Sequence, residues 1–109
     1  MLISKKNITL IHSLCEIHSV EKLYLFGSAT GMSFSKNSDI DFLVKFRKID
    51  LDNYFDNYIT LKEKLKTIFK REIDLVEEQT LKNPILIKSI NKNKALVYGW
   101  ENFKMALWY

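Results

Sequence analysis

Apolar residues recur along this chain in two rhythms, and the alternation between them predicts its elements. Ile8, Ile11, Leu14, Cys15 and Ile17 step by three and four between Asn7 and Ser19, the spacing of an amphipathic helix. Glu21 to Phe26 (EKLYLF) alternates and is β-prone, so a strand follows, and Gly27 ends it. The small and polar stretch GSATGMSFSKNS then leads to a second predicted strand, Asp39 to Phe46 (DIDFLVKF), which closes in the charged turn Lys45 to Asp50. Leu51, Phe55, Tyr58, Leu61, Leu65, Ile68 and Phe69 restore the helical step over a long segment whose other face carries Lys62, Glu63, Lys66 and Lys70. Glu72 to Glu77 reads as a third strand. Asn83-Pro84 opens a helix to about Asn91, with Pro at a tolerated first position, and Ala95 to Tyr98 offers a fourth strand.

Helices alternating with short strands, without repeat or linker, predict a single α/β domain spanning residues 1–98. The ending GWENFKMALWY places Trp100, Phe103 and Leu107 at helical spacing, so residues 99–109 are expected to form an aromatic tail with a short helix.

Composition narrows the class. With 47% hydrophobic and 28% charged residues among 109, and only three Gly and one Pro, the chain carries enough apolar material for one core and excludes disordered and collagen-like classes. The formal charge of +4 is scattered, and Arg47 and Arg71 are the only arginines, so the planar fork that reads bases or clamps phosphate is nearly absent. Direct nucleic-acid binding is not expected. The single Cys15 can neither staple the fold nor build a cysteine-rich metal site, and a reducing cytoplasm is the expected home. No segment approaches the roughly 18 apolar residues of a membrane helix.

The chemistry concentrates in FGSATGMSFSKNSDIDFLV. Asp39 and Asp41 alternate on one strand, so their side chains leave the same face, while Ile40 and Phe42 point into the core. Two carboxylates aimed at one place raise each other's pKa or repel unless a cation lies between them. Oxygen ligands select a hard ion, magnesium or manganese. Asp74, between the core candidates Ile73 and Leu75, adds a third strand carboxylate that a shared site with Asp39 and Asp41 would partner, which expects the two strands to be neighbours. Gly27 and Ser28 leave a strand tip free of bulky side chains, where backbone N–H groups and the Ser28 hydroxyl suit phosphate oxygens. Alone, an Asp-x-Asp is a solvated edge and a Gly-Ser a turn; their conjunction with a further strand aspartate points to a nucleotide site.

Gly27-Ser28, ten residues, then Asp39-Ile40-Asp41 matches G-S-x10-D-x-D, and residues 1–98 resemble the minimal single-domain members of the DNA polymerase β-like nucleotidyltransferase superfamily. The resemblance implies a mixed sheet of about four strands flanked by helices. It also implies Asp39, Asp41 and Asp74 as ligands of two magnesium ions and as the catalytic residues, with Gly27 and Ser28 binding the triphosphate. The reaction implied is in-line attack on the α-phosphate of a nucleoside triphosphate, ATP by resemblance, with pyrophosphate leaving and Asp74 helping to deprotonate the acceptor. Many relatives carry an Arg or Lys inside the loop where this chain has Ala29, Thr30 and Gly31, which removes a cation there. Minimal bacterial members resemble antitoxins paired with a helical HEPN-type ribonuclease toxin, some of which transfer AMP to a tyrosine of that partner. The leading expectation is thus a protein adenylyltransferase acting as an antitoxin. The alternatives are a binding module that neutralises its partner by contact alone, and a transferase acting on a small molecule such as an antibiotic.

Other residues read as structure. His12 and His18, six apart, share no helix face and are expected at the surface or in packing rather than on a metal. Tyr54, Phe55 and Tyr58 are expected as core aromatics. The lysines at 62, 64, 66 and 70 form a solvated face, and Trp100, Phe103, Leu107 and Trp108 form a partner patch if exposed.

Overall fold

In the computed structural model, residues 3–26 and 39–99 are described. The order is α1 (Lys5–Ile17), β1 (Val20–Phe26), β2 (Ile40–Phe46), α2 (Leu51–Phe69), β3 (Ile73–Glu77), a 3-10 turn at Glu78–Thr80, α3 (Pro84–Asn93) and β4 (Ala95–Tyr98). The elements expected within residues 3–26 and 39–98 are all present, with ends moved by two residues or fewer, and the short helix expected in the tail lies outside the described residues. The 3-10 turn is additional. Gly27, Ser28 and the aromatic residues of the tail lie outside the described residues.

Local chemistry explains the boundaries. Ser4 caps α1 by accepting from the Asn7 N–H at 3.2 Å, and Asp50 caps α2 by accepting from the Asn53 N–H at 3.2 Å. Lys70 ends α2 in the left-handed region at φ 55°. Asn83 caps α3 through the N–H groups of Ile85 and Leu86, with Pro84 at the first helical position.

The four strands form one mixed sheet in the order β3-β2-β1-β4, in which β1 pairs antiparallel with both β2 and β4, and β2 pairs parallel with β3. The parallel pair needs a crossover, and α2 provides it. Alternation along the strands sends side chains to two faces. Ile40, Phe42, Val44 and Phe46 join Ile11, Leu14 and Cys15 of α1 and Leu61 and Leu65 of α2 in the main core. Leu43 turns the other way and packs with Tyr24 and Ile90 of α3 in a smaller cluster. Val20 and Leu23, three apart, both enter the main core because the register of β1 shifts between Val20 and Lys22.

The long helix departs from expectation at its N-terminal half. Leu61 and Leu65 are fully buried, and Tyr54 and Tyr58 pack against the core, but Phe55 is 54% exposed and Leu51 68% exposed. Phe55 is therefore not a core aromatic. The sheet lies under only part of α2, and the helical step continues past the surface available to cover it.

Candidate active site

Phe26, the last described residue of β1, pairs with Asp41, and Asp41 pairs with Asp74 across the parallel β2–β3 ladder. The Ile40 N–H donates to the Glu72 carbonyl at 3.1 Å, which locks the entry of the two strands in register. Asp41 shares the parity of Leu43, and Asp74 that of Val76, so both carboxylates leave the sheet on the face that carries α3. Their flanking residues Ile40, Phe42, Ile73 and Leu75 are buried on the opposite face. The strand adjacency expected from sequence is present, and β2 and β3 place their aspartates side by side.

The electrostatics follow from that register. Burial raises the pKa of Asp41 above the ordinary carboxylate value, and the charge of Asp74, the charge of Asp39 and a hydrogen bond shared with Asp74 raise it further. Asp41 is half-buried, whereas Asp39 and Asp74 are exposed. The desolvation expected at Asp74 thus falls on Asp41 instead, because Asp41 sits on an interior strand between β1 and β3 while β3 is the sheet edge.

Among the described residues, no group of three His, Cys, Asp or Glu side chains forms a ready-made metal cage. Asp41 and Asp74 touch, and Asp39 reaches them through charge. That arrangement fits a hard divalent ion, which keeps waters and commonly takes one or two carboxylates together with substrate phosphates. It does not fit a closed structural metal site.

Behind β3, the Tyr58 hydroxyl donates to the Leu75 carbonyl, next to Asp74 in sequence. Burial and then the charge of Asp74 raise the pKa of Tyr58. Tyr58 therefore holds the strand that carries Asp74, a role its helical spacing did not reveal. Glu77, three residues on, is a buried acid that sequence reading passed over. Its Oε2 accepts from the Gln79 N–H at 3.0 Å, and burial raises its pKa.

Neither histidine is placed as a metal ligand. His12 Nε2 is 2.9 Å from the Val97 carbonyl, and its ring meets Tyr98 edge-on at 5.2 Å. His18 is buried, with Nδ1 3.0 Å from Asn57 Oδ1. Both are packing residues. Of the lysine face, Lys66 pairs with Glu72 at 2.9 Å. A cavity of about 430 Å³ lies at the other end of β2, lined by Lys45, Arg47, Lys48, Tyr54 and others, and includes none of the three aspartates.

The family described as polymerase beta, nucleotidyltransferase matches residues 9–102. A chain from Methanocaldococcus jannaschii, named as a protein adenylyltransferase, is 35% identical over 83 residues, which cover 74% of this chain and 78% of its own. Among solved structures, one named a minimal nucleotidyltransferase superposes with a TM-score of 0.69 at 24% identity, covering 84% of this chain and 89% of its own. A chain of a toxin–antitoxin structure with AMP-PNP gives a TM-score of 0.66 at 23% identity, covering 87% and 75%. A chain from the complex of a tri-AMPylated Shewanella oneidensis HEPN toxin with an MNT antitoxin gives 0.60 at 21% identity, covering 92% and 74%. At these identities the structures show a shared fold.

Proposed function

The chain belongs to the polymerase beta nucleotidyltransferase family as a minimal nucleotidyltransferase domain, and from that premise we propose that it transfers AMP from ATP to a partner protein. The observation that carries the reading is the pairing of Asp41 with Asp74 in adjacent parallel strands, beside Asp39 and the end of β1. Three acids gather at one end of the sheet, and Asp41 resists ionisation because it is buried and because the charges of Asp74 and Asp39 lie beside it, so a cation is favoured there. Asp39, Asp41 and Asp74 would hold magnesium together with the triphosphate. When bound, the metal supplies charge neutralisation at the α-phosphate and lowers the pKa of a coordinated hydroxyl.

The residues divide the work by position. Asp39 and Asp41, at the start of β2, face the strand end from which Gly27 and Ser28 follow in sequence, and these two bind the triphosphate. Asp74, exposed on the edge strand, stands on the outer side, where an acceptor hydroxyl arrives from solvent, and takes its proton. Phe26 adjoins Asp41 on the β1 side and packs against the α3 cluster on the same face. Attack by the acceptor oxygen forms the new P–O bond as the bond to pyrophosphate breaks.

The complexes of related folds with a HEPN toxin support a partner of that kind, which makes this domain the antitoxin of a two-protein module. The domain proper is taken as residues 1–98, with 99–109 as a tail available to the partner. The test is calorimetric titration of ATP, with and without magnesium, into the wild type and the Asp39→Asn, Asp41→Asn double variant. Magnesium-dependent binding lost in the variant is expected. A well-folded wild type that binds no ATP at millimolar concentration overturns the enzymatic reading in favour of neutralisation by contact.

A further inference from the structure

Lys94 joins the last turn of α3 to the first residue of β4. It caps α3, and its N–H donates to the Ile90 carbonyl at 2.9 Å, so its backbone is anchored by a helix on one side and a strand on the other. Ala95 pairs with Leu25 in antiparallel β1 and β4, which sets the preceding position level with Phe26. Phe26 pairs with Asp41, and Asp41 with Asp74. One row thus crosses the sheet: Lys94, Phe26, Asp41, Asp74. With neighbouring strands about 4.8 Å apart, the Lys94 backbone stands roughly 10 Å from that of Asp41.

The side chain stays on the carboxylate face. Lys94 Nζ lies 4.1 Å from the centroid of the Tyr24 ring, and Tyr24 packs with Leu43 in the cluster under α3, on the side of the sheet to which Asp41 projects. A cation resting on an aromatic face is positioned at lower entropic cost than a free lysine. The Lys94 backbone thus stands level with the carboxylates, and its ammonium rests over Tyr24, whose partner Leu43 lies two residues along β2 from Asp41 on the same face. A bound triphosphate brings anionic oxygens that the acids repel, while Ala29, Thr30 and Gly31 carry no cation and Lys36 is the one basic residue of the stretch 27–38.

We propose that Lys94 is a phosphate-binding residue, whose ammonium meets the β- or γ-phosphate of the nucleoside triphosphate and follows its charge onto the leaving pyrophosphate. This rests on the nucleotidyltransferase reading and adds a group to that same site. Lysine serves as a point charge here, so the interaction discriminates by the number of phosphates and not by the base.

The test is the binding of ATP, pyrophosphate and AMP, each with magnesium, to full-length wild type, Lys94→Met and Lys94→Arg. Lys94→Met is expected to weaken ATP and pyrophosphate about ten- to hundredfold, the size of one charge-assisted hydrogen bond, with AMP unchanged. Lys94→Arg is expected to recover most of the loss. In transfer assays the effect falls on the KM for ATP more than on kcat. Equal ATP binding by wild type and Lys94→Met overturns the role of Lys94 and leaves the nucleotidyltransferase reading standing. So does a loss that is the same for AMP as for ATP, which marks a structural defect. A wild type that binds none of the three overturns both. If Lys94→Met does not fold, Lys94→Gln is read by the same criteria.

Discussion

Asp41 and Asp74 face each other in register across the parallel strands β2 and β3, close enough to share a hydrogen bond, and burial and repulsion hold Asp41 above the ordinary carboxylate pKa. A carboxyl that resists ionisation in the folded state opposes folding once it is charged. The penalty is complete above the raised folded pKa and vanishes as pH falls through it towards the unfolded value.

Asp41→Asn should therefore stabilise the metal-free protein at pH 7 while abolishing transfer. The gain should be about 0.2–1 kcal/mol, the size of cross-strand charge effects. Urea denaturation checks it: the difference from wild type should shrink as pH drops towards 4. A variant less stable than wild type at pH 7 would show that the pair is held by attraction.

Magnesium with ATP should raise the melting temperature of the wild type, because a ligand that binds only the folded state stabilises it by mass action. The Asp41→Asn, Asp74→Asn double variant should melt at the same temperature with and without them. Thermal scans at saturating ligand measure this, and an equal shift in both proteins would move the cation elsewhere.

The two faces of α2 should respond differently to truncation. Leu61→Ala empties a fully buried site and should cost about 2–5 kcal/mol. Phe55→Ala removes a largely exposed ring and should change stability by about 0.5 kcal/mol or less. Equilibrium unfolding of both variants distinguishes this packing from a helix rotated to bury Phe55.

Gly99 sits at φ 110°, and a Cβ there would lie 2.4 Å from the Glu21 carbonyl oxygen and 3.0 Å from Lys22 Cα. Gly99→Ala should cost about 1–3 kcal/mol from backbone strain alone. Loosening of β4 against β1 should accompany it, visible as faster amide exchange at Leu96 and Tyr98.

Tyr58→Phe removes the hydroxyl that donates to the Leu75 carbonyl and should cost about 1 kcal/mol. Because Leu75 adjoins Asp74, kcat should fall modestly while ATP affinity holds. Parallel measurement of KM and kcat checks the split.

The elements themselves were legible in the chain because each carries its own period and its own caps. Seven apolar positions at helical step predicted α2, Asn83-Pro84 marked the start of α3, and Asp39-Ile40-Asp41 announced which side of β2 would carry acid, since alternation leaves Ile40 and Phe42 no choice but the core. Local spacing sufficed for these, and it also singled out Asp74 by its buried neighbours. Its limit shows at Phe55, where a continuous helical pattern outran the sheet beneath it: periodicity reports which residues share a face, not how far the covering surface extends.

The rest depended on long-range pairing. Which strand adjoins which is set by the crossover of α2 and by the burial of both sheet faces, and only that arrangement brings Asp74 beside Asp41, shifts the desolvation to the interior strand and places the Tyr58 hydroxyl behind Leu75. Lys94 is the plainest case. It lies 53 positions after Asp41 in sequence, no motif marks it, and it joins the carboxylates' row solely because β4 returns antiparallel to the far side of β1.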